Sequence, residues 1–201
     1  MTELDFQSIY DTYHGRITRY LERLVGKEEA EDLGQEVFLK INRGLKGFRG
    51  DSQLSTWIYR VATNAARDRL RRPSFKQAKL TEPWSGAVEA AAVNGGHAYV
   101  RPARADQDLI KKEMNQCIRN FIENLPEHYR TVLVLSELEG LKNREIADVL
   151  QISLGAVKIR LHRARAQLAK ELENHCRFYR DDRNELACDL KQGIEEYRKD
   201  G

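Results

Sequence analysis

Basic side chains recur on one side of a segment near residue 160. Between residues 154 and 172, five Lys or Arg residues stand against a single acidic residue, Glu171. The spacing of Val157, Leu161 and Ala164 predicts a helix that buries these three positions and leaves the basic residues outside. Such a helix fits the DNA major groove, where cations bind guanine edges or phosphates and an apolar side chain touches a thymine methyl. The residues predicted to face DNA are Lys158, Ile159, His162, Arg163 and Arg165. The alternative is an amphipathic helix whose charges are merely solvated.

A second cluster, between residues 48 and 72, combines aromatic and polar side chains. It comprises Phe48, Arg49, Trp57, Tyr59, Arg60, Asn64 and Arg67. Aromatic rings beside cations suit unstacked bases, because every base offers a π-face and a phosphate. The competing interpretation is that Phe48 and Trp57 belong to the core of a small helical domain.

A third set of reactive side chains lies near the C-terminus: His175, Cys176 and Cys188. Thiolate and imidazole ligands suit zinc or copper. The spacing matches no strong zinc motif, however, and a fourth ligand is missing. We therefore expect no metal cofactor, and keep metal binding or redox sensing as a weaker hypothesis. The simplest alternative is two small side chains packing a helical appendage.

The elements that position these residues are predicted to be helices throughout. We expect an all-α chain with two small helical domains, at 1–72 and 108–172. A flexible linker at 73–107 joins them, because three of the four prolines occur there with many alanines. Ser55 or Thr56 is the predicted cap of the third helix, and Pro126 is predicted in the first turn of a later one. Residues 143–172 are predicted to form a helix-turn-helix capped by Ser153, and residues 173–201 a C-terminal extension of unknown role.

Composition narrows the classes of function. The chain has 201 residues and a net charge of +3, but residues 56–72 and 154–172 each carry +4, which leaves −5 for the remainder. Two basic segments in a weakly acidic chain indicate an anionic polymer contacted at two places. Three cysteines, no signal-peptide pattern and no long apolar run predict a cytoplasmic protein without a membrane partner. No catalytic carboxylate set, nucleophile with its base, phosphate-binding loop or metal cluster is visible, so we do not expect an enzyme.

Several motifs, in this order and spacing, resemble those of bacterial extracytoplasmic-function (group IV, sigma-70 family) RNA polymerase sigma factors. In the first half they are Ala30–Lys40, Phe48–Ser52 and Thr56–Asn64. In the second half they are Leu125–Glu127, Glu145–Ala147, Gly155–Lys158 and Leu161–Arg165. The resemblance covers about residues 6–72 and 108–172.

This resemblance implies a promoter-specificity subunit that binds core RNA polymerase, reads the −35 and −10 elements, and flips a −10 base. Contacts with the clamp helices of the β′ subunit would fall on Glu31, Asp32, Gln35 and Glu36, and the β flap would be a further contact. The −10 DNA contacts would fall on Phe48, Arg49, Asp51, Ser52, Gln53, Trp57, Arg60 and Asn64. The −35 contacts would fall on Lys158, Ile159, His162, Arg163 and Arg165. Lys158 and Ile159 depart from the residues common in the family, which leaves the −35 sequence open. An anti-sigma factor is a candidate partner.

A stand-alone helix-turn-helix repressor or activator is the alternative function. It explains residues 125–172 but leaves 30–72 as a generic sensor or dimerisation domain. The two hypotheses differ in whether Asp32 and Gln35 are needed for polymerase binding.

Overall fold

The computed structural model describes residues 5–73, 118–180, 184 and 186–191. These residues fall into two units. The first unit contains residues 5–73 and 126–165, and the second contains 118–125 and the described residues from 166 onwards. The predicted domain boundaries remain predictions, because residues 74–117 lie outside the described part of the chain.

Three helices form the first part of the first unit: α1 (Phe6–Val25), α2 (Lys27–Leu45) and α3 (Leu54–Arg71). Asp5 caps α1, because its carboxylate accepts hydrogen bonds from the backbone N–H groups of Gln7 and Ser8. These bonds, with the one from the Ser8 hydroxyl, lower the pKa of the Asp5 carboxyl. Gly26 separates α1 from α2 at a φ of 96°, a conformation that favours glycine.

The apolar stripes of these helices meet in a continuous core. Ile17, Leu21, Ile41 and Ile58 are almost fully buried, and each such side chain contributes about 1.5–3 kcal/mol on burial. The rings of Tyr20 and Tyr59 pack edge to face, with centroids 5.3 Å apart. The Thr63 hydroxyl donates to the Tyr59 carbonyl at 2.6 Å, so the Tyr20 hydroxyl donates to Thr63 across 2.7 Å. The core therefore contains a polar pair whose hydrogen bonds are satisfied.

The remaining helices of this unit are α4 (Glu127–Leu133), α5 (Asn143–Leu150) and α6 (Leu154–His175), of which α6 continues into the second unit. A π-helical turn, Val134–Leu138, follows α4 directly. Between α5 and α6 the chain turns at Gln151, which has a φ of 53°. The Ser153 hydroxyl accepts the Ala156 N–H at 3.1 Å, which confirms the predicted cap of α6.

The second unit contains helical residues 118–123, the last part of α6 and an antiparallel hairpin. The hairpin strands are β1 (Cys176–Arg180) and β2 (Leu186–Leu190), paired with Cys176 opposite Leu190 and Phe178 opposite Cys188. The Phe121 and His175 rings stack with centroids 5.6 Å apart.

The all-α expectation is confirmed for the body of the protein, and the hairpin is the feature that it missed. The extension, considered above as a helical appendage, instead pairs as two short strands. The predicted cap of α3 was wrong: Gln53 precedes the helix, no side chain caps it, and Ser55 and Thr56 lie inside its first turn. Pro126 directly precedes α4, one residue before the predicted position.

Candidate nucleic-acid interface

The first candidate surface is the outer side of α6. Val157, Leu161 and Ala164 are buried there, as their spacing predicted. All five side chains predicted to contact the −35 element are exposed: Lys158, Ile159, His162, Arg163 and Arg165. Ile159 has 55% of its surface exposed between basic neighbours, a position from which it can reach a thymine methyl. The start of α6 therefore offers one apolar and four polar side chains to a groove.

Arg165 differs from the other four because an acidic partner already holds it. Its guanidinium donates twice to one Glu137 carboxylate oxygen, at 2.6 Å and 3.2 Å. These hydrogen bonds lower the pKa of the Glu137 carboxyl. Both side chains are largely exposed, so the pair contributes well under 1 kcal/mol. DNA would compete with Glu137 for this arginine.

The second candidate surface lies at the start of α3 and in the loop before it. The Phe48 and Trp57 rings are 5.4 Å apart and both are partly buried. A Cβ atom at Gly44 would lie 2.9 Å from the Trp57 ring, so the indole packs directly on the backbone of α2. Trp57 is thus in part a structural residue. The other residues predicted here divide into exposed positions (Arg49, Asp51, Gln53 and Asn64) and half-buried ones (Ser52 and Arg60).

The arginines of α3 are mostly engaged within the protein. Arg60 donates from Nε to the Asp148 carbonyl at 3.0 Å, and Arg67 lies 3.7 Å from the Glu127 carboxylate. Arg69 bridges Glu29 and Glu36, the latter at 2.7 Å. The segment 56–72 carries +4 in sequence but is not a bare basic stripe in the folded chain.

The third candidate surface is the acidic side of α2. Glu31, Asp32 and Gln35 are exposed, while Leu33 and Val37 are buried on the opposite side. Glu36 is half-buried and bound to Arg69, so its carboxylate is less available to a partner. The helix therefore presents three exposed polar side chains, Glu31, Asp32 and Gln35, beside one acid that is bound within the protein.

Two further residues, one on these surfaces and one buried beside them, were missed in the sequence. Leu39 is 56% exposed and lies four residues after Gln35, on the same side of α2; this spacing could have identified it. Glu139, directly after the π-helical turn, has only 6% of its side chain exposed. Its carboxylate lies 3.1 Å from the Arg23 guanidinium and accepts the Tyr59 hydroxyl at 2.5 Å. These partners are distant in sequence, so no local pattern points to them.

The C-terminal cysteines lie on one strand each. Cys176 is buried and Cys188 is half-buried, and they form no disulfide. Because Cys176 pairs with Leu190, and Cys188 is two residues from Leu190, both thiols lie on the same face of the hairpin as diagonal neighbours. Within the described residues, no three His, Cys, Asp or Glu side chains are grouped as a metal site requires.

No helix in the described ranges is both long enough and apolar enough to cross a membrane.

Comparison with known proteins matches two segments of this chain to family models. Residues 9–75 match the family model "Sigma-70 region 2", and residues 115–168 match "Sigma-70, region 4". The RNA polymerase sigma-H factor of Pseudomonas aeruginosa is 36% identical over 166 residues, which cover 80% of this chain and 82% of the relative. The ECF RNA polymerase sigma-E factor of Escherichia coli K12 is 31% identical over 172 residues, 84% of this chain and 86% of the relative.

Solved structures share the fold. CnrH in complex with the cytosolic domain of CnrY aligns at a TM-score of 0.57 and 20% identity, over 84% of this chain and 88% of that one. The sigma factor RpoE in complex with the anti-sigma factor NepR, from Bartonella quintana, aligns at a TM-score of 0.60 and 20% identity. That alignment covers 84% of this chain and 97% of the solved one.

Proposed function

We propose how the surfaces of this chain divide the work of promoter recognition, starting from its family: the chain belongs to the extracytoplasmic-function group of sigma-70 family RNA polymerase sigma factors. It is a promoter-specificity subunit, which binds core RNA polymerase and directs it to promoter DNA. The alternative, a stand-alone helix-turn-helix repressor or activator, is not supported, because the match to region 2 covers α1, α2 and α3.

The observation that carries the residue-level proposal is the exposed side of α6. Lys158, His162 and Arg163 would bind bases and phosphates of the −35 element, and Ile159 would contact a thymine methyl. Arg165 would exchange Glu137 for a phosphate. The burial of Val157 and Leu161 supports this assignment, because it fixes which side of the helix faces outward.

The −10 element would be read at the start of α3 and in the loop before it. Arg49, Asp51 and Gln53 on the loop, with Asn64 on the helix, are exposed enough to bind a base taken out of the stack. Unstacking a base costs a few kcal/mol, which stacking and edge hydrogen bonds return. Phe48 and Trp57 would support the pocket and provide aromatic surface, while Ser52 and Arg60 would contribute polar contacts.

Core polymerase would bind the exposed side of α2. We assign the contact with the β′ clamp helices to Glu31, Asp32 and Gln35, extended by the exposed Leu39. Glu36 is assigned a weaker contribution, because Arg69 already binds it. The β flap would contact the region 4 part of the chain.

This role also carries expectations about catalysis, localisation and regulation. A subunit that supplies specificity needs no catalysis of its own, and it must share the cytoplasm with polymerase and DNA. An anti-sigma factor is proposed as a regulator, supported by the solved relative in complex with one.

For the extension, a thiol-based response of Cys176 and Cys188 stays a hypothesis. It predicts that Cys176→Ser and Cys188→Ser alter the effect of peroxide or metal on transcription, and an identical response to the parent chain would exclude it.

The polymerase contact can be tested by capture of purified core enzyme. Asp32→Ala combined with Gln35→Ala should lower capture at least about tenfold, because both side chains would lie in the interface. Glu28→Ala is the matched control: Glu28 is an exposed acid in the first turn of the same helix, outside the proposed contact. Equal capture of the double variant and the control would contradict the assignment.

A further inference from the structure

The C-terminal hairpin places two cysteines close together across its strands. The Lys191 N–H donates to the His175 carbonyl at 2.9 Å, which identifies residues 175 and 191 as a hydrogen-bonded pair. The next pair, Cys176 and Leu190, is therefore non-hydrogen-bonded, and so is the pair two residues further on, which contains Cys188. Side chains at such positions approach each other most closely in an antiparallel ladder. The two thiols are thus diagonal neighbours on one face of the hairpin.

The two thiols differ in their access to solvent. Cys176 is 4% exposed, whereas Cys188 is half-buried. Cys176 directly follows α6, and the Phe121 ring stacks on His175 immediately before it. The hairpin is therefore anchored at its Cys176 end, and Cys188 is the thiol that a dissolved oxidant reaches first.

The pair suits oxidation better than it suits a metal ion. Structural zinc sites take four ligands, and within the described residues no three His, Cys, Asp or Glu side chains are grouped. His175, which is next to Cys176 in sequence, has its Nε2 atom 3.4 Å from the Glu171 carboxylate and its ring on Phe121. Two neighbouring thiols without a grouped third ligand favour a disulfide instead.

A disulfide at this register would be strained and therefore reversible. Diagonal neighbours have Cα atoms about 7–8 Å apart, whereas the Cα atoms of a disulfide are about 4.4–6.8 Å apart. The strands must shift by roughly an ångström to close the bond. Strained disulfides are readily reduced, so cellular thiols would open this one again.

We infer that the hairpin is a reversible thiol switch, in which a hydroperoxide oxidises Cys188 and Cys176 completes a disulfide within the chain. The Cys188 thiolate attacks one peroxide oxygen, the O–O bond breaks, and the leaving alkoxide takes up a proton, which leaves a sulfenic acid on Cys188. The Cys176 thiol then forms the S–S bond and releases water. Two thiols and one hydroperoxide thus give one disulfide, one alcohol and one water, and thiol exchange with a reductant such as glutathione restores both thiols.

The chemical test uses the full chain carrying Cys117→Ser, because Cys117 is the third cysteine of the sequence. Hydrogen peroxide should remove about 2 Da per chain, the mass of two hydrogens, and trypsin should leave peptides 171–177 and 184–191 linked. Excess reduced glutathione should separate them. A bond between two chains, oxidation that stops at sulfinic acid, or a disulfide that resists glutathione would overturn the proposal.

Variants in this background test the order of the steps and the register. With Cys176→Ser, peroxide should leave a sulfenic acid at Cys188 that dimedone labels; with Cys188→Ser, labelling of the buried Cys176 should be at least about fivefold weaker. Cys176→Ala combined with Arg177→Cys is the matched control, because it moves the second thiol by one residue to the opposite face of the hairpin, at an exposed position. Disulfide formation should slow by at least about tenfold in this control. An unchanged rate would overturn the role of the register.

The effect on transcription rests on the proposed function and is measured separately. Initiation with core polymerase should fall at least about twofold on oxidation and recover with glutathione, because the strand shift disturbs the stack of His175 on Phe121 at the end of α6. A disulfide that forms without changing initiation would overturn its role as a switch. A reduced chain that never initiates contradicts the proposed function, whereas an active chain that forms no disulfide contradicts only this inference.

Discussion

Helices α3 and α6 carry the same charge in sequence and present very different surfaces. The segments around them each hold five basic residues against one acid. In α6 the side chains at the DNA-facing positions point outward, and Arg165 is the one among them with an ion pair in the structure described. In α3 the arginines at 60, 67 and 69 bind groups of the protein itself. The charge of a segment in the sequence is therefore an upper limit on the charge that it presents at the surface. The fold lowers that charge when it pairs some of the side chains internally.

The difference arises because acidic partners reach α3 from other helices. Glu29 and Glu36 come from α2 and Glu127 from α4. The positive charge of α3 is therefore partly neutralised within the protein, whereas most of the basic side chains of α6 are exposed. Four pairs of measurements test this difference between α3 and α6.

Truncating a side chain should cost far more stability on α3 than on α6. Tyr59→Ala removes a fully buried ring and leaves Glu139 with one partner fewer, so the free energy of unfolding should fall by about 3–5 kcal/mol. His162→Ala removes an exposed side chain and should change it by less than about 0.5 kcal/mol. Urea unfolding followed by circular dichroism measures both, and equal losses would contradict the burial contrast.

Adding one methyl group should distinguish the same two regions. Gly44→Ala places a Cβ 2.9 Å from the Trp57 ring and should destabilise by about 1–3 kcal/mol unless the indole moves. Gly155→Ala, near the start of α6, places its Cβ 3.9 Å from the Ser153 hydroxyl and should be neutral or stabilising by up to about 1 kcal/mol. In a Trp84→Phe background, where Trp57 is the remaining tryptophan, the fluorescence should shift in the first variant and stay unchanged in the second.

The salt dependence of promoter binding should separate DNA-facing from internally paired arginines. Arg163→Ala should reduce the slope of log K against log salt by about 1, because it removes a phosphate contact. Arg69→Ala should leave the slope unchanged, because Arg69 binds Glu29 and Glu36. Holoenzyme binding to a labelled promoter at four salt concentrations gives both slopes. A matching fall in the Arg69 variant would place that residue on DNA.

The smallest effect concerns the pair between Glu137 and Arg165. Glu137→Gln releases the arginine and removes a negative charge near DNA, so −35 affinity should rise by less than about fivefold.

The pKa of Glu137 is lowered from 4.5, so the contribution of this pair to stability is present above that pH and is lost as pH falls below it. Thermal melts should therefore show a constant difference between variant and parent from pH 8 to about 5, and a smaller one near pH 3. A difference that grows in acid would contradict the assignment.

Local sequence patterns predicted the parts of this protein that depend on near neighbours. The buried stripe of α6 and the Ser153 cap both follow from residues within one helix or turn. The hairpin escaped prediction because its strands are only five residues long and four of the five β1 residues are exposed, which gives no alternating apolar pattern.

The role of Glu139 escaped for a different reason. The residues around Glu139 give no sign that its carboxylate is buried. Its partners, Arg23 and Tyr59, come from a different part of the chain. The same holds for Arg69, which lies between Asp68 and Leu70 and whose acidic partners come from α2. The resemblance to a family supplied the candidate site residues, whereas the internal pairing that masks some of them required the folded chain.

The most direct test of the account is transcription by core RNA polymerase reconstituted with this chain. Start sites are mapped on fragmented genomic DNA from the host, with core enzyme alone as the reference. We expect a defined set of start sites that core enzyme alone does not use, sharing one −35 and one −10 sequence, and lost when Asp32 and Gln35 are both replaced by Ala. Initiation no different from core enzyme alone would contradict the central claim.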